Sequence, residues 1–220
     1  MSGLKWGMVI DLDRCTGCGG CQVACRLENN IPPAGGAASG GGPPDWITLE
    51  RLDNGNPAPE SDALYLPKPC MHCENPPCVA ACPVGATRKE EQGGIVSQVY
   101  ARCIGCRSCL PACPYGARRF TWTDPVWPRG MEETMTPFAS VRPRGVVEKC
   151  TLCAHRLTTS GPEAFTTACA EACPTGAIVV GDLEKFRLPA EAFALKPEKG
   201  TGPQVLYVSR RDWARGGSGE

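Results

Sequence analysis

Sixteen cysteines dominate the 220-residue chain and fall into four groups. Cys15, Cys18, Cys21 and Cys25 follow C-x2-C-x2-C-x3-C. Cys70, Cys73, Cys78 and Cys82 follow C-x2-C-x4-C-x3-C-P, and Cys103, Cys106, Cys109 and Cys113 return to the first spacing with the proline added. In the last group a fifteen-residue insertion separates Cys150 and Cys153 from Cys169 and Cys173-Pro174. Structural disulfides rarely bridge such close neighbours, so thiolate ligation of metal is expected instead. Each Cys-Pro leads into a similar run, CPVGAT, CPYGAR and CPTGAI, so one unit is used four times.

Three cysteines spaced by two suit a loop that wraps one [4Fe–4S] cubane, with a sulfur on each of three irons. The fourth lies about one helical turn beyond the third and points toward a neighbouring site, as in bacterial two-cluster runs. Fourth cysteines are therefore exchanged between paired groups. Groups two and three are only twenty residues apart and form one pair, which leaves groups one and four to pair around it. Four sites are predicted: Cys15, Cys18 and Cys21 with Cys173; Cys150, Cys153 and Cys169 with Cys25; Cys70, Cys73 and Cys78 with Cys113; and Cys103, Cys106 and Cys109 with Cys82. Zinc is the plainer alternative, since paired C-x2-C units also suit four-thiolate sites. Zinc ribbons, however, have no use for a third cysteine two residues on, or for a proline after the fourth.

The elements that must position these loops are short. Gly (26) and Pro (22) exceed a fifth of the chain, which signals many turns rather than long helices. Strand-like runs cover Trp6–Leu12, Trp46–Leu52, Ile95–Tyr100, Arg118–Thr123, Ala177–Val180 and Val205–Ser209, while the residues around each third and fourth cysteine, in all four groups, such as QVAC, VAAC and AEAC, suit a short helix. The expected fold class is α+β: two ferredoxin-like two-cluster modules with long loops. The inner module would span residues 63–139, and the outer, discontinuous one residues 1–62 plus 140–220. Residues 34–44, AGGAASGGGPP, read as a flexible low-complexity stretch, and residues 123–145, with four prolines, as a long surface loop. The proline after each fourth cysteine turns the chain, and Arg26 in its place leaves the Cys25 thiolate available.

Lys+Arg and Asp+Glu balance at 23 each, so nothing points to nucleic acid. If the cysteines ligate cubanes as thiolates, each oxidised site, cluster included, would carry roughly −2, making the loaded interior acidic. No stretch approaches the 18 apolar residues of a spanning helix, and the start MSGLKWGMVIDLD has no signal-peptide pattern or twin arginine. A soluble chain with no export address of its own is expected. There is no dinucleotide fingerprint, nucleophile elbow or paired His motif, and every predicted site is full, so the chain is not expected to be an enzyme by itself.

Basic residues crowd the cysteines: Arg14, Arg26, Arg88, Lys89, Arg102, Arg107, Arg118, Arg119, Lys149 and Arg156. Positive charge near a cluster favours its reduced form; the alternative is solvated surface or subunit salt bridges. Amides of Gly17, Gly19, Gly20 and Gly105 are candidate donors to cluster sulfurs. His72 and His155 each lie close to a cysteine but are expected to stand behind the ligands or at an interface. Trp46, Trp122, Trp127 and Trp213 are expected to pack or to anchor a partner.

The stretches CTGCGGCQVACRLENNIP, CMHCENPPCVAACPVGAT, CIGCRSCLPACPYGAR, and EKCTLCAHRL with CPTGAIVVGDL, cover about three-quarters of the chain. In them the chain resembles the four-cluster iron–sulfur subunit of molybdoenzymes of the dimethyl sulfoxide reductase family, such as polysulfide, tetrathionate, sulfite, arsenate and nitrate enzymes. Arg26, Glu28 and Asn29 match the residues that follow the first group in that family. The resemblance implies an electron-transfer subunit relaying electrons through four [4Fe–4S] clusters. Its partners would be a molybdopterin-containing catalytic subunit and an integral membrane subunit that reacts with quinone. By the same analogy, the outer pair of sites would face the catalytic subunit and the inner pair the membrane subunit. The protein would be membrane-associated through its partners, on the cytoplasmic face or, after co-export, the periplasmic one. The alternatives are a polyferredoxin-like subunit of a hydrogenase or formate dehydrogenase, and a zinc-bound scaffold.

Overall fold

The computed structural model describes residues 3–32 and 45–216; the low-complexity stretch at 34–44 lies outside the described residues. Strand β1 (Trp6–Asp11) and helix α1 (Gly20–Glu28) open the chain. A hairpin of β2 (Thr48–Asp53) and β3 (Ala63–Lys68) precedes α2 (Pro77–Ala80), β4 (Thr87–Lys89), β5 (Val96–Gln98) and β6 (Arg119–Phe120). There follow β7 (Val147–Glu148), α3 (His155–Ser160), α4 (Ala168–Glu171), β8 (Ile178–Asp182), β9 (Ala192–Phe193), β10 (Val205–Val208) and α5 (Trp213–Gly216). Helix and strand alternate in short pieces, consistent with the α+β class, and the longest helix among the described residues has nine residues.

The largest sheet has the order β8-β1-β10-β9, with β1 antiparallel to β8 and parallel to β10. Trp6, Met8, Ile10 and Leu12 alternate inward along this central strand, the period of a half-buried strand. Three further ladders pair β2 with β3, β4 with β5, and β6 with β7. The pairings β2–β3 and β6–β7 join residues from both sides of the expected boundaries at 62/63 and 139/140, so backbone hydrogen bonds cross both.

The six expected strand runs coincide with β1, β2, β5, β6, β8 and β10; four are trimmed, while β2 extends one residue past Leu52 and β8 two residues past Val180. The expectation of a short helix at the third group fails: Ser108–Ala112 form turns. Pro111 lacks the N–H a helix needs there, and Arg107 enters with φ 63°. The 123–145 loop is irregular apart from a single 3-10 turn at Met131–Thr134. It is pinned from inside by Arg142, whose guanidinium donates to Glu148 Oε2 (2.8 Å) and to the carbonyls of Asn29 and Asn30 at the end of α1. Glu148 also accepts from Trp46 Nε1 and Thr121 Oγ1, both at 2.9 Å. All its partners are buried, so Glu148→Gln strands the Arg142 charge. We expect stability to fall by about 3–5 kcal/mol, read as a lower urea midpoint at unchanged slope.

Candidate metal centres

Each cysteine loop is built on the same backbone device. The residue just before the second cysteine sits in the left-handed region in all four groups: Gly17 (φ 72°), His72 (φ 43°), Gly105 (φ 70°) and Leu152 (φ 55°). In groups one and four the N–H of this left-handed residue reaches back to the first sulfur. Leu152 N–H donates to Cys150 Sγ at 3.4 Å, and Gly17 N–H acts likewise on Cys15. At Gly17 and Gly105 the close approach also excludes a side chain: a Cβ would lie 2.5 Å from the Tyr65 ring and 2.4 Å from Gly145 O, respectively. Gly105→Ala therefore combines left-handed strain of about 1–2 kcal/mol with a backbone clash. We expect it to reduce iron in the Cys103 site while leaving the distant Cys15 site loaded, measurable by iron analysis and EPR.

The Cys-Pro dipeptides do more than turn the chain. In C-P-x-G-A the turn aims the alanine N–H at the fourth sulfur: Ala86 N–H to Cys82 Sγ and Ala177 N–H to Cys173 Sγ, both at 3.2 Å. Burial raises both thiols, yet hydrogen bonds win and hold them below the ordinary thiol value: amides of Thr87, Val84 and Ala86 at Cys82, and the Thr175 hydroxyl and Ala177 amide at Cys173. Cys25 has no such turn. It lies inside α1, which runs on to Glu28, and Asn29 Nδ2 approaches its sulfur at 3.7 Å from the helix end. Asn29 at the C-cap thus supplies one amide where the other groups use a proline turn, a role the sequence did not announce. Of the four glycines named as donors, Gly17 donates to Cys15, and amides of Val147 and Ala168 also reach cysteine sulfurs.

The four groups are brought together crosswise. One cavity is lined by Cys70, Cys73, Cys78 and Cys113, and a second by Cys82, Cys103, Cys106 and Cys109. Burial pushes the Cys25 thiol far up, and the thiols that add to this are first Cys150, Cys169 and Cys153 of group four, ahead of Cys21 of its own group. Burial also raises Cys15, with Cys173 its foremost thiol neighbour. The cause lies in α1: Cys21 and Cys25, four apart, share one helix face, and α1 packs against α4, which carries Cys169. Repulsion between neighbouring thiolates orders the sets in a row. Cys21 adjoins Cys25 and Cys169, Cys150 adjoins Cys70, and Cys78 adjoins Cys109. Cys18 in the first set and Cys106 in the last are exposed, and the other fourteen cysteines are buried or half-buried.

A tetrahedral zinc site gathers four ligands at about 2.3 Å from one ion. Among the described residues, no three His, Cys, Asp or Glu side chains converge tightly enough for a single ion. The sulfurs instead line cavities, as a multi-iron cluster needs. Burial holds the Cys21 thiol at about 11 and the Cys73 and Cys150 thiols at about 12, so these ligands ionise only with cationic metal beside them. The guanidinium of Arg118 lines the first cavity, its Nε and Nη2 without an oxygen or nitrogen acceptor and the Cys78 and Cys109 sulfurs beside it, a buried cation that an anionic cluster satisfies. The residues fit [4Fe–4S] clusters.

Other expected site residues sort by burial. His72 is fully buried and accepts from Val96 N–H through Nδ1 (3.1 Å); burial keeps it neutral, with Lys149 and Arg118 adding to the effect. His155 contacts Glu28 at 2.6 Å, and Glu28 also takes two bonds from Arg156, tying α1 to α3. Arg26, Arg88 and Lys89 pair with Asp45, Glu90 and Glu74. Trp46 packs inside, while Trp122 is exposed beneath the Arg107 guanidinium.

Two models described as 4Fe–4S dicluster domain match the chain, one over residues 61–131 and one over 14–86 and 102–177. The iron–sulfur cluster-binding subunit of menaquinone reductase from Nitratidesulfovibrio vulgaris is 52% identical over 96% of this chain and 91% of its own length. This chain belongs to the iron–sulfur subunits of the dimethyl sulfoxide reductase family of molybdopterin oxidoreductases. Such a subunit transfers electrons within a reductase complex and is not the catalytic chain. The iron–sulfur subunit of arsenate respiratory reductase from Shewanella is 35% identical over 93% of the chain and 96% of its own length. A tetrathionate reductase subunit from Salmonella typhimurium is 34% identical over 94% of the chain and 74% of its own length. None of the described helices is long and apolar enough to cross a membrane.

Proposed function

We propose that this electron-transfer subunit carries four [4Fe–4S] clusters and relays electrons between a molybdopterin-family catalytic subunit and a quinone-reactive integral membrane subunit. The row of cysteine sets carries this reading, because its two ends bear the exposed Cys18 and Cys106. The clusters would supply one-electron redox chemistry, and the chain's own residues fix their spacing and exclude water. Cys15, Cys18, Cys21 and Cys173 hold one terminal cluster; Cys82, Cys103, Cys106 and Cys109 hold the other. Between them lie the sites of Cys25, Cys150, Cys153 and Cys169, and of Cys70, Cys73, Cys78 and Cys113. The Cys18 end faces the catalytic subunit and the Cys106 end the membrane subunit.

The outer module comprises residues 1–62 and 140–220, which alone supply the four-stranded sheet, and the inner one residues 63–139. The name of the Nitratidesulfovibrio relative, menaquinone reductase, supports a quinone-reactive partner. Membrane association follows from the partners, on either face. The test is affinity purification of the full chain from its native membranes under anaerobic conditions. A large molybdopterin-family chain and an integral membrane chain are expected to copurify, with clusters that redox-cycle on adding a quinone or quinol. A nickel–iron partner, or a zinc-loaded chain alone, would overturn the proposal.

A further inference from the structure

Among the described residues four charged side chains are buried: Arg118, Arg142, Glu148 and Lys149. Arg142 and Glu148 neutralise one another at 2.8 Å. Arg118 (4% exposed) and Lys149 (0% exposed) form no ion pair with any described carboxylate. Lys149 Nζ donates only to the carbonyls of Val96 and Cys150. Arg118 Nη1 donates to Thr87 Oγ1 and Gln98 Oε1, both at 3.1 Å, while its Nε and Nη2 have no oxygen or nitrogen acceptor and the guanidinium has the Cys78 and Cys109 sulfurs beside it. A buried charge without a counter-charge is strongly unfavourable, so both cations need an anion that ordinary side chains do not supply.

Their positions name it. Arg118 lines the cavity of Cys70, Cys73, Cys78 and Cys113, and its foremost thiol neighbours are Cys78, Cys109 and Cys70. It therefore lies between that site and the site of Cys103. Lys149 is bonded to Val96, which lines the same cavity, and to Cys150 of the neighbouring site. Arg118 thus lines the Cys70 site directly and Lys149 stands behind its wall at the Val96 carbonyl, so this is the site both cations approach.

Resting on the four-cluster reading, we propose that Arg118 and Lys149 are the built-in counter-ions of the row, acting together on the Cys70–Cys113 cluster to stabilise its reduced form. Arg118 shares its charge with the Cys103 cluster and Lys149 with the Cys150 cluster. Reduction adds one electron and one negative charge to a cluster, the electron arriving from its neighbour in the row, and the fixed cations oppose that added charge. Both are positioning residues, since neither ligates iron.

The experiment is an EPR-monitored redox titration of the anaerobically purified full chain carrying Arg118→Met or Lys149→Met. Each variant is expected to lower the midpoints of two clusters, one of them common to both variants. The common signal should shift its oxidised-to-reduced ratio about tenfold, about 59 mV for one electron, and should be the one perturbed by Cys113→Ser. Arg118→Lys and Lys149→Arg keep the charge and should restore most of the shift. Iron content is read first: wild-type chain without iron–sulfur clusters overturns the underlying four-cluster reading. Fully loaded variants with unmoved midpoints, or with no signal in common, overturn this inference alone. If the methionine variants fail to load, the charge-keeping exchanges decide: loading restored by charge upholds the inference, and loading lost despite charge overturns it.

Discussion

A Cys25→Ser chain is expected to keep the cluster wrapped by Cys15, Cys18 and Cys21 and to lose or convert the cluster of Cys150, Cys153 and Cys169. Iron should fall from about sixteen toward about twelve per chain. The EPR signal that disappears should be the one removed by Cys153→Ser, not the one removed by Cys15→Ser. The physical ground is the α1 face. Cys21 and Cys25 lie one helical turn apart, so their sulfurs enter adjacent sites rather than the same one. Cys25 is buried against α4, with Cys150, Cys169 and Cys153 as its foremost thiol neighbours. Serine retains the shape but is a harder, far less acidic ligand in a site that selects thiolate. Loss of the Cys15 signal instead would overturn the crosswise assignment.

Removing the iron with an oxidant and a chelator is expected to abolish the cooperative fold. Cys21, Cys25, Cys70, Cys73, Cys150 and Cys169 are members of the main buried cluster, packed with Met8, Ile10 and Tyr207. Cys78 and Cys109 hold a second cluster with Val96 and Val147. Clusters are thus part of the interior rather than appended to it. Without them those cavities lose their contents, and Arg118 and Lys149 lose their counter-charge. Structural metal binding contributes roughly 10–16 kcal/mol in small zinc domains, against total stabilities of roughly 5–15 kcal/mol. Near-UV circular dichroism and the cooperative urea transition should both vanish. An iron-free chain that kept both would show that the protein scaffold stands alone.

The cysteine spacing made the four cysteine groups and their loops legible because such geometry is local: two-residue gaps, a left-handed corner and one helical turn. The α+β class and the strand runs at Trp6, Val205 and Ile95 were equally plain from apolar alternation. What stayed hidden depends on distant partners. Strand β3 contains Pro67 and a polar end, so it reads as a strand only beside β2; β7 and β9 are two residues long and exist only through their ladders. His72 and Leu152 occupy the left-handed corner that Gly17 and Gly105 advertise, and nothing in CMHC or CTLC betrays it. The capping role of Asn29 replaces a proline turn with a side-chain amide, a substitution between chemically unlike devices. Ten basic residues near cysteines looked alike in sequence; only burial separates Arg118 and Lys149 from those that pair with carboxylates or face solvent.

Counting iron, acid-labile sulfide and zinc in the anaerobically purified full chain tests the four-cluster assignment most directly. About sixteen irons and about sixteen sulfides per chain, with negligible zinc, are expected from sixteen cysteine ligands. A colourless chain with about four zinc ions and no sulfide would contradict it.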